Sequence, residues 1–153
     1  MPTCRLCGCN TKLMGAHIIP LGSFRRARGS GSPLEFIRDD GHQVTKSRGF
    51  IDADILCSTC DGSFSAAEQY FMLYLEQHHE TPNTHDNLFV DTTVDYGKLK
   101  LAILFTIWKM AISSLAEFNV ISLIPATETK LKAMIRAGNP GKLKWTPNLG
   151  PVD

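Results

Sequence analysis

Four of the five cysteines in this chain fall into two identical spacings, Cys4-Arg5-Leu6-Cys7 and Cys57-Ser58-Thr59-Cys60. Two residues between thiols is the spacing of a zinc knuckle, a tight turn that aims both sulfurs at one ion. One such pair would be shared with redox motifs, but two in a short chain select a metal. Cys4, Cys7, Cys57 and Cys60 together make a complete tetrahedral set for structural Zn²⁺, which would tie the N-terminus to residues 57–60. Cys9 is left over, either as a substitute ligand or as a free or half-buried thiol.

Between the pairs lies Gly15-Ala16-His17-Ile18-Ile19-Pro20. A neutral imidazole titrates near working pH and can take a proton from water, so His17 is the candidate base. A strand clipped by zinc would hold it rigidly. The alternative is a His17 that only orients its loop by hydrogen bonding to backbone. Arg25, Arg26 and Arg28, followed by Arg38, Lys46 and Arg48, form a basic cluster beside it that can track nucleic-acid phosphates or be an ordinary solvated loop. The net charge of +1 hides an uneven spread. Residues 1–50 carry eight Lys or Arg against three acids, residues 51–100 two against nine, and residues 101–153 six against three. The chain has no glycine-rich phosphate loop and no Ser/His/Asp order.

The elements that must position these residues follow from length and patterning. At 153 residues with 43% hydrophobic content, the chain fits one domain or a zinc module with a helical extension, and has enough apolar material for a core. Its longest apolar run, residues 101–108, is closed by Lys100 and Lys109 and is too short for a membrane span. The N-terminus lacks a signal-peptide apolar stretch, so a cytoplasmic protein with reduced thiols is expected. Residues 28–33 read as a flexible loop, flanked by short strands or turns at 34–37 and 49–51. Ser65 with Glu68 spells a capping box for a helix that ends near His78-His79, both read as structural or solvated. His42 and His85 sit in loops. A long helix is expected from Tyr96 to Phe118, apolar on nearly all sides, with Trp108 in the core and Lys98, Lys100 and Lys109 on its polar margins. A further helix spans about Ala126 to Ala137, stopped by Gly138 and Pro140. The tail reads as extended.

The order Cys-x-x-Cys, His-Ile-Ile-Pro, Ile-Leu-Cys-x-x-Cys resembles the HNH endonucleases, a ββα-metal unit on a treble-clef zinc finger. The wider pattern, from Cys4 to about Gly141 and including Ile107-Trp108-Lys109-x-Ala111-x-Ser113-Ser114, is similar to uncharacterised bacterial and phage HNH-like proteins. The resemblance implies an α+β fold: a treble-clef zinc unit over residues 1–80 and a mainly helical extension over 81–153 packed on it. It implies a nuclease with His17 as general base, Arg25, Arg26 and Arg28 against the phosphate backbone, and a second divalent ion, Mg²⁺ or Mn²⁺, at the scissile phosphate. Ala16 stands where the family commonly has an Asp or His ligand, and residues 61–65 lack the closing His. Asp61 and Glu68, or Asp52 and Asp54, are the carboxylates that would replace them, although Asp61 also reads as a helix cap and Glu68 as part of the capping box. The alternative reading is a non-catalytic zinc module that binds nucleic acid or a protein partner, such as an immunity or counter-immunity protein.

Overall fold

The computed structural model describes residues 1–29, 33–37, 41–78 and 91–141. His79, His85, Arg38 and the tail beyond residue 141 lie outside them. Along the chain run β1 (Leu13–His17), α1 (Leu21–Arg28), β2 (Leu34–Ile37), β3 (Gln43–Lys46), β4 (Ile51–Cys57), α2 (Ser58–Gly62) and α3 (Ser65–Gln77). Then follow α4 (Tyr96–Ile112), a 3₁₀ turn at Ala116–Phe118 and α5 (Pro125–Arg136). The fold is mixed α+β, with two small antiparallel sheets, β1–β4 and β2–β3. Among the described residues no helix is long and apolar enough to cross a membrane.

The β1–β4 pair carries the site. Leu13 and Met14 face Cys57 and Leu56, while Ala16 and His17 face Asp52 and Ile51. Gly15 alone therefore opposes three residues of β4, and the ladder bulges there. The Asp52 carboxylate closes that bulge, its Oδ1 accepting from the Asp54 N–H at 2.9 Å. A Cβ on Gly15 would stand 2.8 Å from Ile51 Cγ2, so the bulge needs glycine at this point. The β2–β3 pair is fastened to the rest through an aromatic chain. Phe36 stacks on Phe24 of α1 at 6.2 Å and meets Phe50 edge-on at 4.7 Å, and Phe50 meets Phe118 at 5.2 Å.

The segments on either side of residue 80 share one core. Cys4, Leu6, Ile18, Ile55, Leu56 and Phe64 are buried in the same cluster as Leu101, Phe105, Trp108, Leu131 and Ile135. Phe64 stacks on Phe105 at a centroid distance of 4.0 Å, which seats α4 on α3. Trp108 is fully buried, as its place in an apolar helix predicts.

Several boundaries differ from expectation, each for a local reason. The basic stretch read as a loop is a helix, α1, drawn against α3 where Ser23 Oγ donates to Met72 Sδ at 2.9 Å. The helix at Ser65 forms but not by a capping box: its Ser65 hydroxyl donates backward to Gly62 O at 2.8 Å, and Glu68 is engaged by Lys109. The helix begun at Tyr96 is capped by Asp95, which accepts from the Lys98 N–H at 3.0 Å. It stops at Ile112 rather than at Phe118 because Ser113 and Ser114 turn out of the helix to bind Asp52 on β4. Lys109 is no polar margin; it is 1% exposed.

Candidate functional site

The first knuckle is a tight loop closed by the Thr3–Asn10 bridge, with Cys4 N–H donating to Cys9 O at 3.0 Å and Gly8 turning at φ 79°. It is stitched to β4 by the Arg5 N–H, which donates to Ile55 O at 2.9 Å. The second pair sits where β4 becomes α2: Cys57 ends the strand and Cys60 lies on the helix. The pairing of β1 with β4 brings these two turns together.

The ligand atoms of Cys4, Cys7, Cys57 and Cys60 all lie within 4.8 Å of one another. A tetrahedral ion with bonds of about 2.3 Å to sulfur would set its ligands about 3.8 Å apart, so the group needs only slight contraction to hold zinc. None of the cysteines is in a disulfide. Backbone N–H groups already point at the sulfurs: Cys57 N–H donates to Cys4 Sγ and Cys9 N–H to Cys7 Sγ, both at 3.5 Å. The bond from Cys9 holds the Cys7 thiol down to about 6. Burial raises the Cys4 thiol, but the N–H groups of Cys7, Cys57 and Leu6 outweigh it and leave it below its usual value. Burial pushes Cys60 well above the ordinary thiol range. A divalent ion held by the four sulfurs would displace the remaining protons. Cys9 is exposed and stands outside the group.

His17 ends β1, beside an open pocket of about 380 Å³ that it lines with Leu21, Arg25, Arg28, Ser47, Arg48 and Ile51. Leu21, Arg25 and Arg28 are spaced i, i+4, i+7 along α1 and so share the face turned to the pocket. Arg26 lies off that face, is exposed and does not line the pocket. Arg28 Nη1 donates to Ser47 O at 3.3 Å, while its buried Nε has no hydrogen-bond partner among the described residues. Gly49, at φ 80°, passes close to the His17 ring and Phe24; a Cβ there would lie 3.8 Å from His17 Cδ2. Lys46 turns elsewhere, to Glu117 at 2.7 Å.

The carboxylates expected to replace missing metal ligands do not gather at His17. Glu68 Oε1 accepts from Lys109 Nζ at 2.8 Å, and Asp52 Oδ2 is held by Ser113 and Ser114. Asp61 lies on α2 next to Cys60. Among the described residues the four cysteines are the one group of three or more metal-type donors within reach of a shared ion, and neither Asp61 nor Glu68 joins a second group of that kind. His78 is structural, its Nδ1 donating to Tyr74 O at 2.8 Å and its Nε2 standing 3.3 Å from Asp91.

Sequence reasoning named Arg48 in the basic cluster but missed the role of Lys109. Arg48 is separated from α1 by the β2–β3 hairpin and meets Arg25 and Arg28 at the pocket through the fold. Lys109 reaches the site from the far half of the chain, its Nζ donating to the backbone oxygen of His17 at 2.6 Å. The one available signal was a lysine within a helix that is apolar all round. No family model, curated protein or solved structure matches the chain.

Proposed function

We propose that this chain is an HNH-like nuclease built on a treble-clef zinc unit, acting on the phosphodiester backbone of nucleic acid at the His17 pocket. Cys4, Cys7, Cys57 and Cys60 would hold zinc, which would supply a structural clip between the first knuckle and the β4–α2 turn. The observation that carries the reading is the convergence of His17 with Arg25, Arg28 and Arg48 on one pocket. Arginine presents a planar fork of donors to phosphate oxygens, and Arg25, Arg28 and Arg48 all line the pocket. In hydrolysis, His17 takes the proton of the attacking water as that oxygen bonds to phosphorus and the bond to the leaving sugar oxygen breaks, the departing oxygen taking a proton from solvent water. The arginines offset the charge that builds on the phosphoryl oxygens. No step is routed through a second metal.

A second reading keeps the pocket but drops the cleavage: a zinc-stabilised module that binds nucleic acid. The engagement of Glu68 by Lys109 and of Asp52 by two serines favours it, because neither carboxylate is free to assist chemistry. The assay incubates plasmid, single-stranded DNA and RNA with wild type and His17→Ala, with Mg²⁺, Mn²⁺ or Ni²⁺ supplied because the resemblance implies a divalent ion. Cleavage that falls by about a hundredfold or more in the variant supports the nuclease. A zinc-replete wild type inert on every substrate removes it, and binding that weakens steeply with salt would then support the module.

A further inference from the structure

Lys109 is 1% exposed yet carries an ammonium group, a placement that needs specific partners. It has three: the His17 backbone oxygen at 2.6 Å, Glu68 Oε1 at 2.8 Å and the Phe105 ring at 4.4 Å. One turn further along, Ser113 Oγ, Ser114 N–H and Ser114 Oγ donate to Asp52 Oδ2 at 2.9, 2.8 and 3.1 Å. Asp52 faces Ala16 across the β1–β4 ladder, next to His17. The end of α4 therefore grips both strands at the very pairs that carry the candidate base.

We propose that this two-point clamp, with Lys109 as its central positioning residue, sets where the His17 ring stands in the pocket, so that the helical half of the chain governs the site. General core packing explains a buried apolar helix end; it does not explain a lysine spent on the carbonyl of the one histidine in the pocket. A buried ion pair is a costly way to gain stability, and its best-attested use is to enforce one arrangement. The inference rests on the pocket being the working site, whether it cleaves or only binds.

The test uses the zinc-loaded full chain. Replacing Lys109→Met together with Glu68→Met swaps the ion pair for apolar side chains of similar length, an exchange that buried pairs often tolerate. The expected result is full zinc content and a folded circular dichroism spectrum, but shifted and broadened ring signals of His17 in ¹H–¹³C spectra. Affinity for inorganic phosphate should fall about fivefold or more, and any cleavage should lose about tenfold in kcat. Ring signals and phosphate affinity equal to wild type would overturn the proposal. Ile135→Val, a core trim on α5, serves as control: it should lower the melting temperature without moving the His17 signals. Should it move them as far as the double variant does, the clamp is no more than general packing and the idea fails. If the double variant does not fold, Ser113→Ala with Ser114→Ala loosens the other anchor and the same readouts decide. A wild type that ignores phosphate counts against the pocket reading, and the ring signals alone then judge the clamp.

Discussion

A thiol, an imidazole and an ammonium define this protein at the scale of single residues. The thiols were the most legible, because knuckle spacing is a local property and survives any uncertainty about the fold. The structure adds that the four sulfurs converge within 4.8 Å, with amide donors already aimed at two of them. Cys57→Ser should accordingly lose the bound metal and forfeit about 10 kcal/mol of binding energy that is linked to folding. Metal analysis beside circular dichroism checks this; a folded variant that keeps one equivalent of zinc contradicts it. The surroundings of His17 were half legible, since its strand was expected while its pocket companions came from elsewhere in sequence. Lys109 was not legible at all: its partners lie 92 and 41 residues away, beyond the reach of any periodicity.

Elements carry the next set of consequences. The start of α4 was readable from the apolar pattern, but its end was decided by Asp52, a tertiary partner 61 residues upstream of Ser113. The serines leave the helix because a buried carboxylate needs donors more than the helix needs another turn. Burial alone would raise the carboxyl of Asp52, but the donated bonds from Asp54, Ser114 and Ser113 win and hold it below the usual carboxylate range. The unfolded chain therefore binds this proton more readily than the folded one. The contribution is present above about pH 4 and lost as pH falls through the depressed folded value. Asp52→Ala should cost about 2–4 kcal/mol at neutral pH, because four donors lose their acceptor. It should also flatten the acid limb of the stability curve. Denaturant melts at pH 7 and pH 3 measure both, and an equal loss at the two values would argue against the carboxylate as the cause.

For the whole molecule, Cys4, Cys57 and Cys60 belong to one buried cluster with the helical half, and Cys7 packs against it. A division near residue 80 describes the sequence pattern, but the core crosses it at Phe64–Phe105 and at Lys109–Glu68. Chelation of the metal should consequently destabilise α4 as well as the knuckles. In a Trp145→Phe background, where Trp108 is the only tryptophan, its fluorescence and the far-ultraviolet circular dichroism should melt together, before and after treatment with chelator. Two separate transitions would show that the halves fold apart. The contrast with charge is instructive: the basic and acidic blocks were plain in the sequence, yet among the described residues of the basic cluster Arg25, Arg28 and Arg48 alone reach the pocket, because helix phase and hairpin placement choose among them.

The bulge opposite Gly15 is a matter of parity. The second strand spends three residues where the first spends one, an excess of two, so the alternation of inward and outward side chains returns in phase at Asp52. Removing Ala53 alone would invert that phase, turning Asp52 away from the serines and bringing Ile51 to the position Asp52 held. Removing Ala53 and Asp54 together would restore it. The shorter chain with two residues gone should therefore be the more stable of the two deletion variants, an ordering that thermal melts can read and that a simple count of lost residues would put the other way round.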